Sequence, residues 1–154
     1  MKTKRVYIDT SVVGGCFDPE FRDASVALFE RFRVGAMIAV VSDLAMSEVA
    51  RAPVRVREVL ASIPNPYRED VRATDEARAL AERYLAGGVI GRAMGNDALH
   101  IATATVYRVD VLASWNFKHI VDPRRIYGYN AVNVREGRTA LAIRTPVEVV
   151  RDAR

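Results

Sequence analysis

The sequence has a single cysteine, Cys16, so no internal disulfide framework can form. It has only two histidines, His100 and His119, and without a second cysteine or a spaced histidine pair there is no zinc cage. Long hydrophobic runs are missing: the longest goes from Ala36 to Val41, far short of the roughly 20 apolar residues a membrane-spanning helix needs. The start is basic, like a secretory leader, but only Val6, Tyr7 and Ile8 precede Asp9, too short an apolar stretch for a signal peptide. Gly87, Gly88, Gly91 and Gly95 fit neither GxxxxGK[ST] nor GxGxxG, which removes the common phosphate-loop nucleotide binders. Repeats, low-complexity tracts and linkers are absent as well. The expectation is a soluble, cytoplasmic protein with no membrane partner.

What is present suits one domain over residues 1–154 with a core of its own. Half of the residues are hydrophobic (50%) and 27% are charged, the usual globular balance. Lys and Arg outnumber Asp and Glu by 23 to 19, a net charge of +4, which favours an anionic partner only slightly.

Strand and helix signals alternate. Arg5 to Ile8 reads as a short strand ending at Asp9, and Asp23 to Arg33 as an amphipathic helix. Met37 to Val41 has the length and continuous apolarity of a strand covered on both faces. Ser42 is placed to cap a helix carrying Glu48, and Pro53 to begin another through Leu60. A weak strand is predicted at Asp70 to Ala73, then a Thr74-capped helix to Ala86 and an Asn96-capped helix from Asp97 to Tyr107. Val109 to Ala113 and Leu141 to Arg144 read as strands, with a helix from Ile126 to Val134 between them. Thr145-Pro146-Val147-Glu148 forms a capping box. This alternation implies a parallel sheet with helices on both faces, in which ligands bind beyond the carboxyl ends of the strands.

Acidic residues stand at those places. Asp9, directly after the first strand, suits a cation ligand or a cap for the following turn. Glu48 shares a mostly apolar helix face, where a carboxylate needs a cation or a donor; the other reading is a solvated glutamate. Asp97 opens a helix whose dipole favours its ionised form, though taken alone ordinary capping by Asn96-Asp97 is the better reading. His100, three residues on, reads as a packing or hydrogen-bonding residue more than as a general base.

Taken together, Asp9-Thr10-Ser11, Glu48, the run Asn96-Asp97-Ala98-Leu99-His100-Ile101-Ala102-Thr103-Ala104 and Ser114-Trp115-Asn116-Phe117 closely resemble the PIN-domain pattern. Within that family the chain resembles the toxin subunits of VapBC-type toxin–antitoxin modules. The resemblance implies a three-layer α/β/α fold with a central, mostly parallel sheet. It also implies hydrolysis of RNA phosphodiester bonds with Mg²⁺ or Mn²⁺, an antitoxin partner and a homodimer. Carried over, the metal ligands are Asp9, Glu48 and Asp97, with Ser114 and Asn116 completing the catalytic set. The family's fourth position is usually acidic, and Asn116 stands there; its carbonyl oxygen can coordinate but brings no charge.

Lesser candidates are Trp115, for stacking on an unpaired base or for packing, and Arg51, Arg55, Arg57, Lys118, Arg124 and Arg125, for phosphate contacts or a solvated face. A non-catalytic PIN-like module that binds RNA or protein is the first alternative, because of Asn116. A haloacid-dehalogenase-type phosphotransferase also places Asp after its first strand, but it needs a second Asp two residues later, where Ser11 stands.

Overall fold

Short apolar segments followed by capping residues set the architecture. In the computed structural model, which describes residues 2–152, β1 (Lys4–Ile8) is followed by α1 (Thr10–Gly15) and α2 (Arg22–Arg33). Next come β2 (Met37–Ser42), α3 (Asp43–Val49) and α4 (Val54–Ala61). They are followed by β3 (Arg68–Val71), α5 (Asp75–Ala86), α6 (Gly95–Val106) and β4 (Val111–Ala113). The chain continues through α7 (Pro123–Arg135), β5 (Ile143–Arg144) and α8 (Pro146–Arg151). Met1, Ala153 and Arg154, which the single-domain expectation includes, lie outside the described residues.

The five strands lie in the order β3-β2-β1-β4-β5, and every pairing is parallel. The sheet is thus wholly rather than mostly parallel. Alternation along β1 sends Val6 and Ile8 to one face, into a core shared with Leu28, Phe29 and Phe32 of α2. Tyr7 goes to the other face, among Ala77, Leu80 and Tyr84 of α5 and Ala98, Ile101 and Ala102 of α6. The result is three layers, α/β/α. No helix among the described residues is long and apolar enough to cross a membrane.

The caps hold where the sequence places them at Ser42, Thr74 and Thr145, the last with its full capping box. Several boundaries differ, among them the start of the last strand, which is Ile143 and not Leu141. The third strand runs from Arg68 to Val71 instead of Asp70 to Ala73, because the 3₁₀ turn Asn65–Tyr67 delivers the chain to the sheet edge early. The fourth begins at Val111, because Arg108 takes a left-handed turn (φ 54°) out of α6. Helix α6 starts at Gly95 with no side-chain cap, so Asn96 does not cap it and Asp97 sits inside its first turn. Helix α7 starts three residues before Ile126, where Asp122 accepts from the Arg125 N–H and Pro123 fills the first turn.

Candidate active site at the carboxyl edge of the sheet

Strand β1 has β2 on one side and β4 on the other, so its carboxyl end is the point where strand order reverses and a crevice opens. Asp9 stands there, with Glu48 from α3 and Asp97 from α6 around it.

Asp9 is the cap of α1: its carboxylate accepts from the Val12 N–H at 3.3 Å. Two hydroxyls donate to it as well, Ser11 to Oδ1 at 2.6 Å and Ser114 to Oδ2 at 2.5 Å. Each hydroxyl in turn accepts a backbone N–H from the turn after β4, Ser11 from Trp115 and Ser114 from Asn116, both at 2.9 Å. A hydroxyl that accepts from an N–H still has its one proton to give, and here both protons go to Asp9. Burial nonetheless pushes the Asp9 carboxyl above the usual range, against the charge of His100 and these hydrogen bonds.

Glu48 is the end of a second network. Its Oε1 accepts from the Thr10 hydroxyl at 2.6 Å and from His100 Nε2 at 2.8 Å. His100 Nδ1 lies 2.6 Å from the Tyr7 hydroxyl, which is 2.8 Å from the Ser42 hydroxyl. Burial raises the Tyr7 pKa and keeps the phenol protonated. Ser42, Tyr7, His100 and Glu48 thus form one continuous hydrogen-bonded chain. Burial acts to raise the Glu48 pKa, but the hydrogen bonds from His100 and Thr10 outweigh it and hold Glu48 below the ordinary value. His100 is thus the hydrogen-bonding residue that its sequence context suggests.

Asp97 differs from both: its carboxylate has no hydrogen bond or ion pair among the described residues. Desolvation raises its pKa, and the charges of Asp9 and Glu48 add to that rise while His100 and His119 oppose it. The three carboxylates therefore sense one another. Among the described residues, however, no three Asp, Glu, His or Cys side chains lie close enough to form a ready-made metal cage.

Ser114, fully buried, uses its hydroxyl to hold Asp9. Asn116 uses Oδ1 to accept the His119 N–H at 2.9 Å, a turn-closing role, and its Nδ2 has no partner among the described residues. Trp115 packs: its ring stacks on Phe21 at 4.3 Å and its Nε1–H donates to Ser25 at 2.8 Å. Sequence reasoning missed Thr10 and Tyr7 as partners of the Glu48 network and Ser11 as the donor to Asp9. The signal was the unbroken polar triplet Asp9-Thr10-Ser11, whose two hydroxyls serve different carboxylates.

No protein-family model matches the chain, and no curated protein does. Solved structures do. VapC20 of Mycobacterium tuberculosis, a sarcin–ricin-loop-cleaving toxin, superposes with a TM-score of 0.57 at 11% identity, over 74% of this chain and 92% of that one. FitAcB of Neisseria gonorrhoeae gives 0.59 at 16% identity, over 92% of this chain and 98% of that one. VapBC2 of Rickettsia felis, bound to promoter DNA, gives 0.51 at 12% identity with the same coverage, 92% and 98%. With the parallel order β3-β2-β1-β4-β5 between two helical layers, these likenesses identify the fold of the chain as a VapC-like PIN fold.

Proposed function

We propose that this chain is a Mg²⁺- or Mn²⁺-dependent endoribonuclease and the toxin of a toxin–antitoxin pair, with Asp9, Glu48 and Asp97 as its acidic centre. The observation that carries this reading is Asp97: a half-buried carboxylate that has no donor or cation of its own and feels two further carboxylates. Such an arrangement is costly unless a cation is supplied. Mg²⁺ takes few carboxylates and keeps several waters, so it does not need a closed three-ligand cage, and none is found among the described residues. Asp9 and Asp97 would hold it. When bound, the ion supplies positive charge at the scissile phosphate and lowers the pKa of the attacking water.

The chain's own residues do the rest. Ser11 and Ser114 fix the Asp9 carboxylate against rotation, so its remaining lone pairs keep one direction. Thr10 and His100 occupy Oε1 of Glu48 and leave Oε2 to orient a water and accept its proton. Asn116 Nδ2 is available to donate to a phosphate oxygen. The solved VapC20 is a sarcin–ricin-loop-cleaving toxin; RNA as substrate, an antitoxin and a homodimer come to this chain as parts of the same proposal. A non-catalytic PIN-like module remains the second reading, because Asn116 removes one charge from the site.

The test is cleavage of a mixed RNA pool by wild type and Asp97→Asn, titrated against Mn²⁺ and run with and without EDTA. Metal-dependent cleavage by the wild type, lost in the variant, is the expected result. If the purified wild type neither cleaves RNA nor binds Mn²⁺, the nuclease reading is wrong and the binding module takes its place.

A further inference from the structure

One surface cleft is lined by none of the three carboxylates of the acidic centre. It has a volume of about 420 Å³ and is lined by Val89, Lys118, Asp122, Arg124, Arg125 and Gly128, among others. Its frame is rigid. Arg125 donates from Nη1 to the Val89 carbonyl at 2.7 Å and from Nε to the Lys118 carbonyl at 2.9 Å. This ties the loop before α6 to the turn after β4. Across the cleft, a Cβ on Gly128 would stand 2.8 Å from Val89 Cγ1, so α7 meets that loop in direct contact.

Three cations, Lys118, Arg124 and Arg125, share this frame with one carboxylate, Asp122. Arg125 bonds only neutral carbonyls and the Lys118 and Arg124 side chains have no partner among the described residues, while Asp122 is committed to capping α7. The chain itself links the cleft to the acidic centre. Lys118 follows Asn116 by two residues, and His119 between them and α7 acts electrostatically on Asp97. Tyr129, which donates to the His119 carbonyl, feels both Asp97 and Arg125.

The geometry points to this cleft as a phosphate subsite, in which Lys118, Arg124 and the Arg125 guanidinium hold the backbone of a single-stranded RNA beyond the phosphate at the acidic centre. The inference rests on the nuclease reading for its polarity but concerns binding, which is measured separately. An acidic peptide is the lesser fit: among the described residues the cleft's apolar lining is Val89 with Gly88 and Gly128, and protein partners need apolar anchors. A polyanion needs fixed cations and room.

The experiment measures binding of a fluorescein-labelled single-stranded RNA to full-length Asp97→Asn protein over a range of salt concentrations. It is repeated with Lys118→Ala/Arg124→Ala added. A second pair, Lys2→Ala/Lys4→Ala, removes the same charge at the exposed amino end of β1, the far edge of the sheet. The cleft pair is expected to weaken binding about tenfold and to lower the slope of log K against log salt by roughly 1.4, about 0.7 for each lost phosphate contact. In otherwise wild-type protein, KM should rise by more than kcat falls. The Lys2/Lys4 pair should leave both parameters unchanged. A cleft pair with wild-type melting temperature, salt slope and KM would overturn the subsite, as would wild-type protein that binds no RNA. Binding that loses slope as expected, in a protein that cleaves nothing, would keep the subsite and refute the nuclease reading alone.

Discussion

Asp97→Asn separates stability from function at a single atom. The substitution keeps the shape of the side chain and breaks no hydrogen bond, because Asp97 makes none among the described residues. What it removes is a charge that desolvation disfavours and that Asp9 and Glu48 repel. The sign follows from linkage: an acid whose pKa is raised in the fold costs stability at every pH above that raised value. The cost shrinks as pH falls through it towards the unfolded value near 3.8. The metal-free variant should therefore be more stable than wild type at pH 7 and equal to it near pH 3.5. Neutralising a functional-site charge typically gains about 0.5–2 kcal/mol. Asp97 is only half-buried, so solvent screening places it in the lower part of that range, about 0.5–1 kcal/mol. For a chain of this size that is a rise of roughly 1–4 °C in Tm. With Mn²⁺ at about 100 times its Kd, the wild type should gain roughly 2.7 kcal/mol and overtake the variant. Cleavage by the variant should fall by at least ~100-fold. The assay is thermal unfolding by circular dichroism at several pH values, with and without Mn²⁺. A variant that melts below the metal-free wild type at pH 7 would refute the reasoning, since Asp97 would then be making a favourable contact in the apo fold.

Ser114→Ala leaves the buried Asp9 Oδ2 and the Asn116 N–H without their partner and should cost about 2–3 kcal/mol; denaturant melts of both single variants and the double should show that Asp9→Asn recovers at least ~1 kcal/mol of it. Gly15→Ala puts a Cβ 2.6 Å from both Ser25 Oγ and Trp115 Nε1, so it should break their hydrogen bond, cost about 1–3 kcal/mol and shift the fluorescence of the only tryptophan. Asn116→Asp keeps the oxygen that accepts the His119 N–H while adding charge beside the site. It should lower the Mn²⁺ concentration for half-maximal cleavage about five- to tenfold, on the order of 1 kcal/mol; an unchanged Mn²⁺ titration would place residue 116 outside the site.

The alternation of strand and helix, the layer order and most caps were legible because each is written locally. Three apolar residues before Asp9 and a continuous apolar run before Ser42 are enough to specify buried parallel strands. Thr74 and Thr145 state their helix starts in one or two side chains. Where reading by pattern slipped, a competing local signal decided the backbone. Asn96 looks like a cap, but the 3₁₀ turn Arg92–Met94 leads directly into α6 at Gly95 and carries the helix past it. Asp122-Pro123 is a strong helix start that the charged pair Arg124-Arg125 hides from a search for apolar periodicity.

The candidate site was readable in sequence as a set of carboxylates but not as a network, and the reason is distance in sequence. Thr10 and Glu48 are 38 residues apart, Tyr7 and His100 are 93, and Asp9 and Ser114 are 105; no periodicity links such pairs. Only the parallel pairing of β1 with β2 and β4 brings them to one edge. That pairing also explains why the hydroxyls matter as much as the acids. An unscreened Asp9 at the switch point would repel Glu48 and Asp97 and turn towards solvent. Ser11 and Ser114, each anchored by a backbone N–H of the turn after β4, make its buried orientation a consequence of strand registry. The same turn supplies Asn116 and then Lys118, so a shift in how β4 pairs with β1 would displace Asp9's donors, the fourth site position and the edge of the cationic cleft together. If the acidic centre and the cleft act as proposed, they form one structural unit, and a substitution that loosens the Ser114 turn should weaken RNA binding as well as cleavage.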